Sequence, residues 1–114
     1  MRHSIEPSAV GTELIAFGVR NHLRPTRLEV LGPTKDVESD FWLEDGLLLS
    51  GIDSDVDVQC GTYVEIMLQS QANEHMTHTI AAVKRVEFET DQGIDESLEI
   101  EDEKGALTIM RFER

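Results

Sequence analysis

The densest run of chemistry-bearing side chains in this 114-residue chain is Glu74-His75-Met76-Thr77-His78-Thr79-Ile80. Imidazoles bind zinc or iron, carry protons near neutral pH and exchange hydrogen bonds. Spacing decides which of these is open to them. Two histidines three residues apart share one side of a helix, but in a strand they face opposite sides. Thr77, Thr79 and Ile80 favour extended backbone, which separates the rings and argues against joint ligation of one metal ion. Cys60, the single cysteine, is a candidate third ligand, although a lone cysteine more often packs as a small apolar residue. The glutamate precedes His75 instead of standing between the histidines, so the zinc-protease helix motif is absent. His75 and His78 are expected at the start of a strand, at least one of them hydrogen-bonded to backbone or to a neighbouring acid. Thr77 would then face the side of His75, and Met76 would pack under His78. If the local sequence marks a ligand or partner contact anywhere, it is at His75, Thr77 and His78.

Two groups of carboxylates come next. Asp53-Ser54-Asp55-Val56-Asp57 opens like a calcium-binding loop, with acids at its first, third and fifth positions. The match ends there: Val58 stands where glycine is needed and Val64 where the closing glutamate belongs. A solvated turn between strands is the expectation for this segment. Glu99, Glu101 and Glu103, with Glu87, Glu89 and Glu113, should form a ridge on outward strand faces, tolerated where water and salt screen like charges. A general acid/base pair needs two carboxylates in unlike, partly buried settings, and outward alternation gives neither. The chain has no phosphate-cradling glycine loop, nucleophile elbow, paired-cysteine motif or dinucleotide fingerprint. No metal and no cofactor is called for.

Charge is divided along the chain. Residues 1–35 carry a net +2 and residues 36–114 a net −15, giving −13 overall. A field of that sign repels nucleic-acid backbones and anionic membranes and attracts a basic protein surface. Acid-rich, lysine-poor composition also suits a salty cell interior. With one cysteine, no internal disulfide can form and a reducing, cytoplasmic setting is the simpler reading. No stretch approaches the roughly 20 apolar residues of a membrane span.

These residues must be positioned by one helix and several strands. Residues 8–23 read as a helix, with Val10, Leu14 and Phe17 on one face and Ile15, Val19 and Leu23 widening the apolar stripe. Ser8 is its candidate N-cap and Pro25 its stop. Gly11 and Gly18 each weaken it by roughly 1 kcal/mol against alanine, so it must dock on a sheet. Strands are expected at 27–31, 37–43, 47–52, 63–69, 83–89, 97–101 and 106–112, with a turn at Asp45-Gly46 and a hairpin loop over Asp102–Gly105. The last strand is apolar at both parities and should sit centrally. The expectation is a single α+β domain over residues 1–114. Its N-terminal helix would pack on a curved, mostly antiparallel six- or seven-stranded sheet, or one closed into a small barrel.

Four segments resemble a family of short bacterial proteins of unknown function. They are Leu28-Glu29-Val30-Leu31-Gly32, Leu49-Ser50-Gly51-Ile52, His75-Met76-Thr77-His78-Thr79-Ile80, and the hairpin from Ser97-Leu98-Glu99-Ile100-Glu101 to Thr108-Ile109-Met110-Arg111-Phe112. The resemblance implies a small stand-alone domain and carries no activity with it. Two functions from different classes stand against each other. One is a non-catalytic protein-binding or regulatory module working through an exposed sheet face or edge, marked by an apolar patch around Trp42 or Tyr63. The other is a metal-dependent or histidine-based enzyme centred on His75 and His78, which requires those side chains to converge in a pocket.

Overall fold

A computed structural model describes residues 1–32, 41–59 and 61–113, with residues 41–45 and 57 described by their backbone alone. Residues 37–40 of the strand expected at 37–43, the side chain of Trp42 and the candidate ligand Cys60 therefore lie outside the described residues. The chain runs β1 (Arg2–Ser4), a single 3-10 turn (Pro7–Ala9), α1 (Val10–Arg20), β2 (Pro25–Leu31) and β3 (Phe41–Asp57). It continues as β4 (Gly61–Gln69), β5 (His75–Ile80), β6 (Val83–Asp91), β7 (Ile94–Asp102) and β8 (Leu107–Phe112). The eight described strands join one sheet in the order β1-β6-β7-β8-β2-β3-β4-β5, and every pairing is antiparallel. β8 lies between β7 and β2, in the middle as its two-sided apolar pattern requires.

Two expectations need correcting. The sheet has eight strands among the described residues: β1 precedes the helix and pairs with β6 through Arg2↔Glu89 and Ser4↔Glu87, β5 is a full strand of its own, and residues 41–43 are continuous with the strand expected at 47–52. It is also not closed into a barrel: β1 and β5 are its two edges, and no pairing among the described residues joins them. The sheet nevertheless curls until its faces meet, since His78 on β5 reaches Thr108 on β8.

β3 causes much of that curl. Seventeen residues at ~3.3 Å each would span roughly 56 Å if straight, yet the longest dimension of the molecule is 35 Å. Extra residues in β3 interrupt its pairing with β2 opposite Thr26/Arg27 and Leu28/Glu29, and with β4 between Leu49 and Gly51. Such bulges bend a strand and increase its twist. Gly46, at φ +86°, sits in the first of them. Asp45-Gly46 is therefore a kink inside one long strand and not the expected hairpin turn. Asp53–Asp57, expected as a loop, is the far end of the same strand. The turn lies beyond it, ahead of Gly61 with its φ of +70°.

The helix is shorter than the sequence pattern suggests. It starts at Val10 after the 3-10 turn, Ser8 makes no cap, and no side-chain cap closes its N-terminus. Pro25 opens β2 directly, five residues past Arg20. Beyond Leu49, β3 has β4 on one side and no described strand on the other, and α1 lies along that bare side. A β-carbon on Gly18 would stand 3.0 Å from the backbone nitrogen of Ile52, and one on Gly11 would stand 3.9 Å from the carbonyl oxygen of Ser54. The glycines that weaken the helix thus let it approach a strand edge. From there α1 buries Leu14 and Phe17 against the inward faces of β4 (Val64, Ile66, Leu68), β6 (Val86) and β7 (Leu98, Ile100). Each such side chain contributes on the order of 1.5–3 kcal/mol of burial.

Candidate functional site

The histidine segment forms the outermost strand, β5. Met76, His78 and Ile80 point toward the core, the first two half-buried and Ile80 buried, while His75, Thr77 and Thr79 are exposed on the outer face. Thr77 shares the face of His75, and His78 lies above the same inner surface as Met76. The His78 ring nitrogen Nε2 is 3.4 Å from the Thr108 hydroxyl, a long contact to a side chain of the opposite layer and not to backbone or an acid. Burial pushes the His78 imidazole below its ordinary pKa. His75 and His78 therefore do not converge, and strand alternation denies them a shared metal ion. Among the described residues, no group of three metal-ligating side chains comes together.

The carboxylate ridge is not the solvated face expected of it. Glu87 and Glu99 are direct cross-strand partners, a costly pairing of like charges. Arg2 lies across both, its Nη1 2.7 Å from Glu87 and 2.9 Å from Glu99. Arg85 donates to Glu101 and lies 2.6 Å from Glu87. The hydrogen bonds from Arg2 and Arg85 hold the Glu87 carboxyl below its ordinary range. Arg111 takes Glu29 at 3.0 Å. Arg2 from the basic N-terminal segment thus folds back onto acids of the C-terminal half.

A third pairing is buried more deeply. Asp95, at the start of β7, is 6% exposed. Its carboxylate accepts hydrogen bonds from Arg20 (2.6 and 3.2 Å) and from the Asn21 amide (2.7 Å), and Arg24 donates to its carbonyl. Burial alone would raise this carboxyl, but the bonds from Arg20 and Asn21 and the charges of Arg20 and Arg24 hold it below its ordinary value. The Arg20 guanidinium also sits 5.0 Å from the Phe17 ring centre, and that of Arg24 sits 4.1 Å from Phe112. These groups clamp the end of α1 onto the sheet. A salt-bridged carboxylate held ionised is a poor proton donor or acceptor at neutral pH.

An apolar concavity lies elsewhere, between the outer flank of α1 and β3. It measures about 520 Å³. It is lined by Ile15, Gly18 and Val19 of α1, His22 just past it, Gly51, Ile52 and Asp53 of β3 and Met67 of β4. Ile15 and Val19 are 49% and 73% exposed. They do not widen the buried stripe of the helix as its periodicity suggested, but stand over the groove. Gly51 provides the depth, because no side chain rises there between the helix and Met67. One residue pair further along the sheet, Asp53 faces Glu65, and beyond that Asp55 faces half-buried Tyr63. Asp53 and Asp55 accept only the N–H of the next residue, at 2.8 Å each. Among the described residues, no arginine or lysine pairs with Asp53, Asp55 or Glu65. Val56 and Val58 are exposed on the same hairpin.

The comparisons add no relative: no protein-family model, no curated protein and no solved structure matches the chain. No helix among the described residues is long and apolar enough to cross a membrane. The groove itself was faintly legible in the sequence. The apolar positions of α1 span too wide an arc for one buried stripe, so some had to remain outside the core.

Proposed function

We propose that this domain is a non-catalytic protein-binding module whose groove between α1 and β3 receives a basic amphipathic segment of a partner protein. One observation carries the reading: arginines pair with Glu29 of β2, Glu87 and Glu89 of β6, and Asp95, Glu99 and Glu101 of β7, while the acids beside the groove have no cationic partner among the described residues. An apolar trough flanked by uncompensated carboxylates complements a segment with aliphatic anchors on one side and lysine or arginine along its flank. The same surface disfavours nucleic acid and anionic lipid. The resemblance to short stand-alone bacterial domains fits a module that acts by docking. The enzyme reading has no comparable support, because its two histidines occupy opposite faces of β5.

The test uses a designed helical peptide with leucines on one face and lysines flanking them, and a scrambled peptide of the same composition. The designed peptide should shift the backbone amide resonances of Gly18, Val19, Gly51 and Met67, and the scrambled one should not. Val19→Ser should weaken binding about tenfold, the effect expected for one aliphatic anchor. Asp53→Asn with Glu65→Gln should weaken it further and flatten its salt dependence. Equal binding of both peptides, or shifts away from the groove, defeats the reading.

A further inference from the structure

β5 carries a second surface, independent of the groove: its free edge. In the β4–β5 hairpin the Ser70 N–H donates to the Glu74 carbonyl at 2.8 Å, which makes 70/74 a hydrogen-bonded pair. Antiparallel pairs alternate between bonded and non-bonded. The register Leu68↔Met76, Ile66↔His78 and Val64↔Ile80 is therefore bonded, and Gln69↔His75, Met67↔Thr77 and Glu65↔Thr79 is not. The N–H and C=O groups of His75, Thr77 and Thr79 consequently point away from the sheet. Among the described residues, nothing hydrogen-bonds to them.

Exposed edges are ordinarily blunted by brevity, charge, proline or a bulge. The other edge, β1, is three residues long and carries Arg2. β5 has none of these protections. It runs for six residues with no acid, lysine, arginine or proline, and its register against β4 is unbroken.

We infer that this edge pairs with the same edge of a second copy of the chain, antiparallel, about a twofold axis at Thr77. The open groups are centred on Thr77, so each Thr77 faces its counterpart and each His75 faces the Thr79 of the other copy. All three open N–H groups and all three open carbonyls of each strand then find partners. The strand is self-complementary because no charged side chain lies along the seam, even though the chain as a whole carries −13. That net charge sets the sign of the salt effect. Two like-charged bodies associate better when screened, whereas a cationic segment added to the same edge would be held less well. One strand pairing buries less than the ~1,200–2,000 Å² of stable interfaces, so the dimer is weak.

Sedimentation equilibrium of the intact protein at roughly 50 and 500 mM sodium chloride tests the pairing. A dimer whose dissociation constant falls at least about threefold in high salt is expected. Thr77→Pro removes only an outward N–H that the monomer does not use, a position where edge strands accept proline. It should leave the circular dichroism spectrum unchanged and weaken dimerisation at least about tenfold. As a check that does not depend on that variant folding, Thr77→Cys in a Cys60→Ser background should form an intermolecular disulfide under mild oxidation. The bonded-pair spacing of ~5.5 Å between α-carbons is within disulfide reach. Thr12→Cys on exposed α1, in the same background, should crosslink far more slowly. A monomer at every concentration in high salt, dimerisation weakened by salt, or equal crosslinking at the two positions overturns the inference.

Discussion

Asp95 shows why a residue's role could not be read from its neighbours in the chain. Its local sequence, Gly93-Ile94-Asp95-Glu96, offers only another acid in an acidic half. Arg20 and Asn21, its partners, lie 75 and 74 positions earlier. Pairing across that separation is set by the sheet and leaves no local trace. The histidine segment had the opposite character, because strand alternation alone places His75 and Thr77 on one face and His78 on the other. What alternation could not supply was the contact to Thr108, which depends on how far the sheet curls. The low pKa of Asp95 has a consequence of definite sign. A carboxyl whose folded pKa is depressed stabilises the fold above the unfolded value near 4, and that contribution is lost as pH falls through the folded value. Asp95→Asn should therefore cost about 1–3 kcal/mol at pH 7, leaving the Arg20 guanidinium without its carboxylate. The deficit should be smaller at about pH 3, below the unfolded value, because the carboxylate's contribution declines as pH falls toward the folded one. Urea denaturation at the two pH values measures both; a deficit independent of pH would show that the carboxylate charge is irrelevant.

At the scale of elements, α1 and β3 explain each other. The sequence marked a helix with two weakening glycines and a strand with a glycine turn. Docking and bending are the reasons those glycines are there. Short strands with clean alternation, such as 63–69 and 97–101, were legible because one buried face enforces period two. The long bulged strand was not, because each extra residue resets the parity and Asp45-Gly46 carries the same local signal in a bulge as in a hairpin. The two helix glycines yield a paired prediction. Gly11→Ala should stabilise the protein by roughly 0.5–1 kcal/mol, since its β-carbon meets nothing closer than 3.9 Å and helix propensity improves. Gly18→Ala should destabilise it by about 1 kcal/mol or more despite the same gain, because its β-carbon would press on the Ile52 backbone at 3.0 Å. Thermal melts of the two variants should move in opposite directions; the same direction for both would mean that α1 does not lie on that strand edge.

For the molecule as a whole, charge division along the chain became charge pairing in space. Arg2, counted with a basic segment, neutralises Glu87 and Glu99 of the acidic one. The remaining imbalance is borne in part by Asp53, Asp55 and Glu65 beside the groove. Net charge was legible at once, but its distribution required the fold. Added salt has two opposed effects on this body. It weakens the exposed arginine pairs, each worth little, and it relieves the self-repulsion of a net charge of −13, which matters more. The melting temperature should accordingly rise between roughly 20 and 500 mM sodium chloride. A constant or falling value would mean that the ion pairs outweigh the repulsion.

The strand order also dictates when this protein can exist. β8, the last of these strands to be made, is the seam between the β6–β7 hairpin and the β2–β3–β4–β5 meander, and β1 finds its partner some 85 residues downstream. Loops that long must close before their contacts offset the lost chain entropy, which places folding in the milliseconds-to-seconds range. During synthesis the two meanders can form early, but they remain unjoined until Phe112 has left the ribosome. Until β8 is made, the edge of β2 and, once it has formed, that of β7 lie bare, and the like charge of neighbouring chains opposes their pairing there.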